Sequence, residues 1–290
     1  MNINIKHLLK KISSPQQRIV LKRWKRHIKS FFCGGQKTTL IELREILTKT
    51  LGLQAGDRIV VTSSFGNLNA AYAPEDVVNL LMEIVTEKGS IMMPYYPPTN
   101  STVWAKDGCV FDMNETRSGM GVITNVFSKM NGVVMSVHPT KAVCVWGKDA
   151  KSIVEGHENS TTPFYWDSPY GKFLKYGSKS IGLGVKNIPM VHAIEDILSD
   201  PYDFYYQKKK YRLKVVKGDG SELVVDTFVH NETVMEQCLA PGDYTASLNV
   251  KSYRKINFGL AFLYVIDNCD LFEETKKAFA RGYTRKIEKK

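Results

Sequence analysis

A short apolar strand that ends in glycines and passes into a helix is the feature that most constrains this chain. The stretch runs Gly182-Leu183-Gly184-Val185-Lys186-Asn187, and His192-Ala193-Ile194-Glu195 follows almost at once. Residues three apart on a helix share a face, so Glu195 is expected to hydrogen-bond one ring nitrogen of His192 and to leave the other free as a base. The pattern predicts a proton-abstracting pair, and the open alternative is a helix-terminal histidine beside a solvated glutamate.

Strands and helices alternate along most of the chain, which is typical of α/β proteins. Core strands are expected at 58–62 and 90–93, short strands at 133–138 and 142–146, and helices at 40–51, 74–85 and 119–130. Residues 211–216 and 223–228 alternate around Lys217-Gly218-Asp219-Gly220 and predict an antiparallel hairpin. The predicted fold class is therefore α/β, a three-layer α/β/α arrangement with a central mixed sheet and this appended hairpin.

The chain of 290 residues is expected to form one main domain, residues 37–290, behind a basic amphipathic N-terminal extension, residues 1–36. The extension suits either an anionic membrane surface or packing against the domain or a dimer partner. The first ten residues have short apolar clusters broken by lysines and lack the hydrophobic centre of a signal peptide. With no apolar run long enough to span a bilayer, we expect a cytoplasmic protein.

The charge balance bounds the partners. Forty Lys and Arg residues against 29 Asp and Glu residues give a formal charge of +11, which favours anionic small molecules. We expect no nucleic-acid partner, and a homo-oligomer remains open. Five scattered cysteines indicate neither a disulfide framework nor a CxxC metal site, and the histidines are too dispersed to predict a metal.

An ordered series of short motifs leads up to the glycine-rich strand. It comprises Ser63-Ser64, Phe111-Asp112, Ser118-Gly119-Met120-Gly121, His138-Pro139-Thr140, His157, Ser168-Pro169 and finally His192 with Glu195. From about Leu40 to about Leu198 this series resembles the aminoglycoside 3-N-acetyltransferase family, whose members move an acetyl group from acetyl-CoA to an amine. The chain departs from the family pattern at Thr62, at Asn125 and at Lys141-Ala142.

The resemblance implies roles for these residues. His192 would be the general base with Glu195 in support, and His138 and His157 match further family histidines and join them as catalytic candidates. Ser63, Ser64, Ser118, Gly119, Met120 and Gly121 would hold the cosubstrate acetyl-CoA, because hydroxyls and amides at a loop or helix start bind anions without bulk. Asp112 would bind the acceptor amine or cap its loop, and no metal is implied.

These observations predict an acetyl-CoA-dependent N-acetyltransferase working by direct transfer to an amino sugar. The positive field would repel a polycation, so the acceptor is expected to be nucleotide- or phosphate-linked, as in cell-surface polysaccharide pathways. The alternatives are an aminoglycoside 3-N-acetyltransferase that confers resistance, and a non-catalytic membrane-associated assembly protein on the same fold. No Gly-x-Ser-x-Gly elbow or phosphate loop occurs, and Asn187 replaces the third glycine of a dinucleotide fingerprint.

Overall fold

The computed structural model describes residues 36–199 and 205–286, together with five isolated positions before residue 29. The predicted N-terminal extension, residues 1–36, therefore lies almost wholly outside the described residues. Within the described ranges, no helix is long and apolar enough to cross a membrane.

In the part of the chain that the structure describes, ten strands form two sheets. They are β1 (Arg58–Ser63), β2 (Ser90–Pro94), β3 (Phe111–Asp112), β4 (Val134–Met135), β5 (Val143–Gly147), β6 (Lys179–Leu183), β7 (Tyr211–Val216), β8 (Glu222–Thr227), β9 (Arg254–Phe258) and β10 (Ala261–Asp267). The larger sheet has seven strands in the order β4-β5-β2-β1-β6-β10-β9. Its centre is parallel, with β1 between β2 and β6, and the outer strands run antiparallel to their neighbours, so the sheet is mixed as predicted.

Helices cover both faces of this sheet. They are α1 (Leu40–Glu45), α2 (Phe65–Leu68), α3 (Pro74–Val85), α4 (Ser101–Lys106), α5 (Val122–Phe127), α6 (Ala150–Val154), α7 (Pro169–Lys175), α8 (Met190–Leu198), α9 (Glu232–Glu236), α10 (Pro241–Ser247) and α11 (Asn268–Ala280). Alternate residues of β1 enter opposite cores: Ile59 packs with α1, α3 and α5, and Val60 packs with α6, α7 and α8. The three-layer prediction is confirmed.

Local sequence signals set the starts of several helices. Thr39 Oγ1 accepts a hydrogen bond from the Glu42 N–H, and the Glu42 carboxylate accepts one from the Thr39 N–H. This capping box begins α1. A π-helical turn, Ile46–Thr50, completes the predicted helix. Pro74 occupies the first turn of α3, where its missing N–H costs nothing.

The predicted hairpin forms, but it does not join the seven-stranded sheet. β7 and β8 pair antiparallel, and β7 pairs in parallel with β3, which makes a separate three-stranded sheet. α5 and β4 are shorter than the helix and strand predicted around them. β9 and β10 were not predicted; they extend the larger sheet beside β6.

Candidate active site

The loops that follow the parallel strands β1, β2 and β6 meet at one edge of the larger sheet, where α/β proteins bind ligands. The loop after β6 is fastened by its Asn187 carbonyl, which accepts hydrogen bonds from Thr62 Oγ1 (2.9 Å) and from the Tyr264 hydroxyl (2.5 Å). Gly182 leaves room for the Tyr264 ring, since a Cβ at this position would lie 1.8 Å from a ring carbon. These contacts fix the loop, and they therefore fix the position of the start of α8 at the sheet edge.

α8 carries the predicted pair on one face. His192 Nδ1 lies 3.5 Å from Glu195 Oε2, and the exposed fractions of the two side chains are 19% and 1%. That contact is longer than an ordinary hydrogen bond, and Oε2 has no hydrogen-bond partner among the described residues. A proton on Nδ1 would face this oxygen, which leaves Nε2 available as an acceptor.

The other carboxylate oxygen of Glu195 is firmly held. Oε1 accepts hydrogen bonds from Arg285 Nε at 2.7 Å and from the Tyr205 hydroxyl at 2.9 Å. Burial alone would raise the pKa of Glu195, but His192 and the Arg285 guanidinium outweigh it and lower the pKa. The carboxylate is therefore negatively charged at neutral pH, and its orientation is fixed.

His192 is neutral under the same conditions. Burial lowers its pKa below the ordinary value, and the neighbouring Glu195 offsets only part of this change. Its ring packs against Phe164 at 5.4 Å between centroids and against His230 at 5.0 Å. A neutral imidazole that is oriented by a carboxylate and partly open can accept a proton.

A cleft of about 820 Å³ opens beside this pair. Its walls include Tyr96, Pro97, Pro98, Thr99, Asn100, Ser101, Thr102, Gly119, Met120, Lys141, His230, Glu232, Met235 and Glu236. His230 lines the cleft and stacks on Phe164 and Tyr206. Because His192 contacts His230, a single ring lies between His192 and the cleft. The volume is in the range of small-molecule sites.

Residues 118–121, the segment predicted to hold acetyl-CoA and called the donor loop below, lie partly on the cleft. Gly119 and Met120 line the cleft, and Gly119 approaches the Tyr95–Asn100 loop so closely that a Cβ would lie 2.8 Å from Pro98 Cα. Ser118 bonds within the loop, to the Tyr96 carbonyl and the Met120 N–H. Asn125 binds both the N–H and the carbonyl of Ser118 and so keeps the loop closed.

Ser63 and Ser64 occupy the end of β1 and the start of α2. They meet the donor loop at Gly121, where a Cβ would lie 3.7 Å from the Ser63 carbonyl, and Gly121 has φ +110°, which suits glycine. Neither serine is among the residues lining the cleft.

His138 and His157 are fully enclosed and stack at 4.6 Å between ring centroids. His138 Nδ1 accepts from the N–H groups of Thr140 and Lys141, and its Nε2 donates to Thr227 Oγ1 at 3.1 Å. Burial lowers the pKa of both rings, that of His157 to about 3. The hydrogen bonds of His138 to Thr140 and Lys141 fasten the β4–β5 turn, and the catalytic role of His138 and His157 stays a prediction.

His157 is bonded through both ring nitrogens, to Ser136 Oγ at 2.8 Å and to the Pro163 carbonyl at 3.1 Å. Asp112 lies on β3, where its carboxylate accepts hydrogen bonds from the N–H groups of Asn114 and Glu115. These contacts suit the capping role, and binding of the acceptor amine by Asp112 stays a prediction. Burial raises the pKa of the Cys144 thiol, as its apolar neighbourhood predicts.

A comparison with known proteins identifies the family of this chain. The sequence model described as aminoglycoside 3-N-acetyltransferase matches residues 60–280. The chain belongs to this family. The family prediction made from the motif series is thereby confirmed, and the match extends beyond Leu198 through the second sheet, β9, β10 and α11.

A curated relative is the aminoglycoside N(3′)-acetyltransferase-like protein YokD, derived from the SPbeta prophage of Bacillus subtilis (strain 168). It is 28% identical over 146 residues, which cover 42% of this chain and 53% of YokD. The sequence match thus spans about half the length of that relative. The YokD crystal structure matches over 84% of this chain and 94% of that chain, with TM-score 0.64 and 22% identity.

Two further structures share the fold. Aminoglycoside acetyltransferase AAC(3)-Xa has TM-score 0.73 at 15% identity and covers 91% of this chain and 99% of its own. The binary complex of AAC-IIIb with CoASH has TM-score 0.67 at 15% identity and covers 87% of this chain and all of its own, 100%. At these identities the likeness concerns the fold.

The sequence analysis did not assign a role to four residues that lie at this candidate site. Arg285 and Tyr205 hold Glu195, His230 separates His192 from the cleft, and Lys141 had been noted only as a departure from the family pattern. Arg285 and His230 stand in no motif, so the sequence offered no signal for either. For Lys141 the signal existed, since the chain departs from the family pattern at this charged residue, three positions after His138.

Proposed function

We propose that this chain is an acetyl-CoA-dependent N-acetyltransferase that uses His192 as the general base. The observation that carries the proposal is the oriented pair: a neutral imidazole 3.5 Å from a buried, anchored carboxylate, one ring away from a cleft. Membership of the aminoglycoside 3-N-acetyltransferase family supports the same reaction.

In this reaction the acceptor nitrogen forms a bond to the thioester carbonyl carbon while His192 takes a proton from that nitrogen. The imidazolium that results is stabilised by Glu195, whose Oε2 can shorten its contact with Nδ1 as charge develops. When the carbon–sulfur bond breaks, the imidazolium returns the proton to the leaving thiolate. His192 thus ends the cycle as a neutral imidazole beside the Glu195 carboxylate, ready for another acceptor.

Acetyl-CoA supplies the acetyl group. The residues that would hold it are the small loop at Ser118–Gly121 and the Ser63-Ser64 turn that the loop meets. The fit is supported by Gly119, which brings the backbone to the cleft wall, and by the absence of a bulky side chain at Gly121. Among the described residues no cluster of three or more His, Cys, Asp or Glu side chains could hold a metal ion.

Two acceptor classes follow. The family description and the acetyltransferase neighbours favour an aminoglycoside amine over the phosphate-linked amino sugar of a polysaccharide pathway. The second class is kept because of a specific observation, the ammonium of Lys141 on the cleft wall.

The deciding experiment is a thiol-release assay with acetyl-CoA across a panel of aminoglycosides and simple amino sugars. His192→Ala should lower kcat by about 10² to 10⁴ and leave acetyl-CoA binding intact, because only proton transfer is lost. The matched control is Ser199→Ala at the end of the same helix, which removes only a hydrogen bond to the Glu195 carbonyl. An unchanged kcat in His192→Ala would refute the mechanism, and no thiol release with any amine would refute the activity.

A further inference from the structure

Lys141 puts a cation on the cleft wall that the proposed chemistry does not use. It lies in the turn between β4 and β5, and its ammonium nitrogen is 4.3 Å from the centroid of the Tyr96 ring and 5.9 Å from that of Phe164. Tyr96 is itself anchored, since its hydroxyl lies 2.6 Å from that of Tyr170. The ammonium therefore has a defined position, set by aromatic faces.

This ammonium is not neutralised by any acidic side chain of the described residues. Over residues 36–199 and 205–286, Lys141 has no carboxylate oxygen within 4.0 Å of Nζ. Burial lowers the pKa of Lys141 to about 8, and no neighbouring carboxylate acts against it. A cation that is withdrawn from water and lacks a counter-ion is costly, and a bound anion would relieve that cost.

We propose that Lys141 forms an anion subsite for the acceptor, which would be an amino sugar that also carries a phosphate or carboxylate group. This inference rests on the proposed transferase function and names the acceptor class. The subsite is close to the chemistry, because the charge of Lys141 contributes to the lowered pKa of both His192 and His230. An acidic group held there keeps its amine within the same cleft.

The other charged groups on the cleft suit such a ligand. Glu232 and Glu236 of α9 line the same cleft, and Glu232 can face an ammonium group of an acceptor. A ligand with both signs of charge satisfies both kinds of side chain, whereas a polycation with no acidic group leaves Lys141 facing a like charge. The formal charge of +11 on the whole chain acts in the same direction.

The experiment compares two probe acceptors, glucosamine and glucosamine 6-phosphate, by kcat/KM in the thiol-release assay. The variants are Lys141→Met, Lys141→Arg and the matched control Lys151→Met, an exposed lysine on α6. The wild type should prefer the phosphorylated sugar, and the preference should fall by about tenfold in Lys141→Met, the effect of losing one charge-assisted contact. Lys141→Arg should retain most of it, and Lys151→Met all of it.

The pH dependence gives a second readout that a merely structural role would not move. As the pH rises through about 8, the wild type should lose its preference for glucosamine 6-phosphate because Lys141 gives up its proton. Lys141→Arg should keep the preference, since the guanidinium remains charged.

The phosphates of acetyl-CoA are another source of such an anion. If Lys141→Met raises KM for acetyl-CoA and leaves the ratio for the two sugars unchanged, the lysine serves the donor and the proposal is overturned. An unchanged ratio in Lys141→Met with normal KM overturns it as well.

A binding measurement without acetyl-CoA separates this inference from the activity. Glucosamine 6-phosphate should raise the Tm of the wild type more than that of Lys141→Met. If it does so although no amine releases thiol, the transferase proposal fails and the anion subsite stands. Equal shifts in the two proteins would remove the subsite whatever the activity.

Discussion

Arg285 donates from Nε to Oε1 of Glu195 over 2.7 Å, across 90 positions of sequence, and the exposed fractions of the two side chains are 3% and 1%. Removal of the cation leaves a buried carboxylate without its principal partner. Arg285→Met should therefore lower the free energy of unfolding by roughly 3 to 5 kcal/mol, measured by urea unfolding at pH 7.

The control for Arg285 is Arg212→Met, which breaks an exposed pair with Asp226 whose atoms lie 3.5 Å apart. That change should cost less than about 1 kcal/mol. Adding Glu195→Gln to Arg285→Met should recover part of the loss, because a neutral amide needs no cation. Equal costs for the two arginine variants would show that the buried pair adds nothing to stability.

The imidazole of His192 should titrate below the ordinary histidine pKa of 6.5, because burial disfavours its charged form. In the proposed mechanism neutral His192 accepts the proton, so kcat should persist as the pH falls to 6.5 and decline only at lower pH. Glu195→Gln should lower this pKa further, since the charge that favours the imidazolium is gone. NMR titration of the His192 ring in the wild type and in Glu195→Gln tests which protein has the lower His192 pKa. A higher pKa in Glu195→Gln would contradict the prediction.

Acid should destabilise the protein through His157. The folded state holds the pKa of this ring at about 3, mainly because of burial, while the unfolded chain takes up the proton near 6.5. Between these values the unfolded state binds more protons, so stability is complete above pH 6.5 and falls with decreasing pH by about 1.4 kcal/mol per pH unit.

Unfolding measurements at pH 7, 6 and 5 test this linkage. His157→Gln should flatten the pH dependence by about one proton. Ser136→Ala removes the hydrogen bond to His157 Nδ1 but keeps the titrating ring, so it should lower stability at every pH and leave the slope in place. Identical slopes in the wild type and His157→Gln would refute the assignment.

Gly182→Ala should overpack the core, because its Cβ would lie 1.8 Å from the Tyr264 ring. We expect a loss of about 1 to 3 kcal/mol in unfolding free energy. Gly218→Ala, where nothing lies within 4 Å of the new Cβ, is the control and should be nearly neutral. In a Tyr264→Leu background the cost of Gly182→Ala should shrink, and strict additivity would contradict the clash.

Short-range signals allowed much of the fold to be predicted from the sequence. Thr39 and Glu42 form a capping box within four residues, and Pro74 starts a helix by its own chemistry. The His192–Glu195 pair likewise depends on helical spacing alone. These features require no knowledge of distant residues.

What could not be predicted depends on pairing between distant segments. β10 pairs with β6, which lies far earlier in the sequence, and no pattern within residues 261–267 specifies that neighbour. β7 pairs with β3, about 100 positions earlier, which the hairpin motif itself does not indicate. Arg285 and the ring of His230 likewise reach the site from distant segments of the chain.

The ion pair between Arg285 and Glu195 also has a consequence for fragments of the protein and for its folding during synthesis. The family match ends at residue 280, five positions before this arginine. A fragment cut to the matched span, residues 60–280, would retain the motif series described above and still leave Glu195 of α8 without its counter-ion. During synthesis, too, a further 90 residues must be added after Glu195 before Arg285 can neutralise its carboxylate.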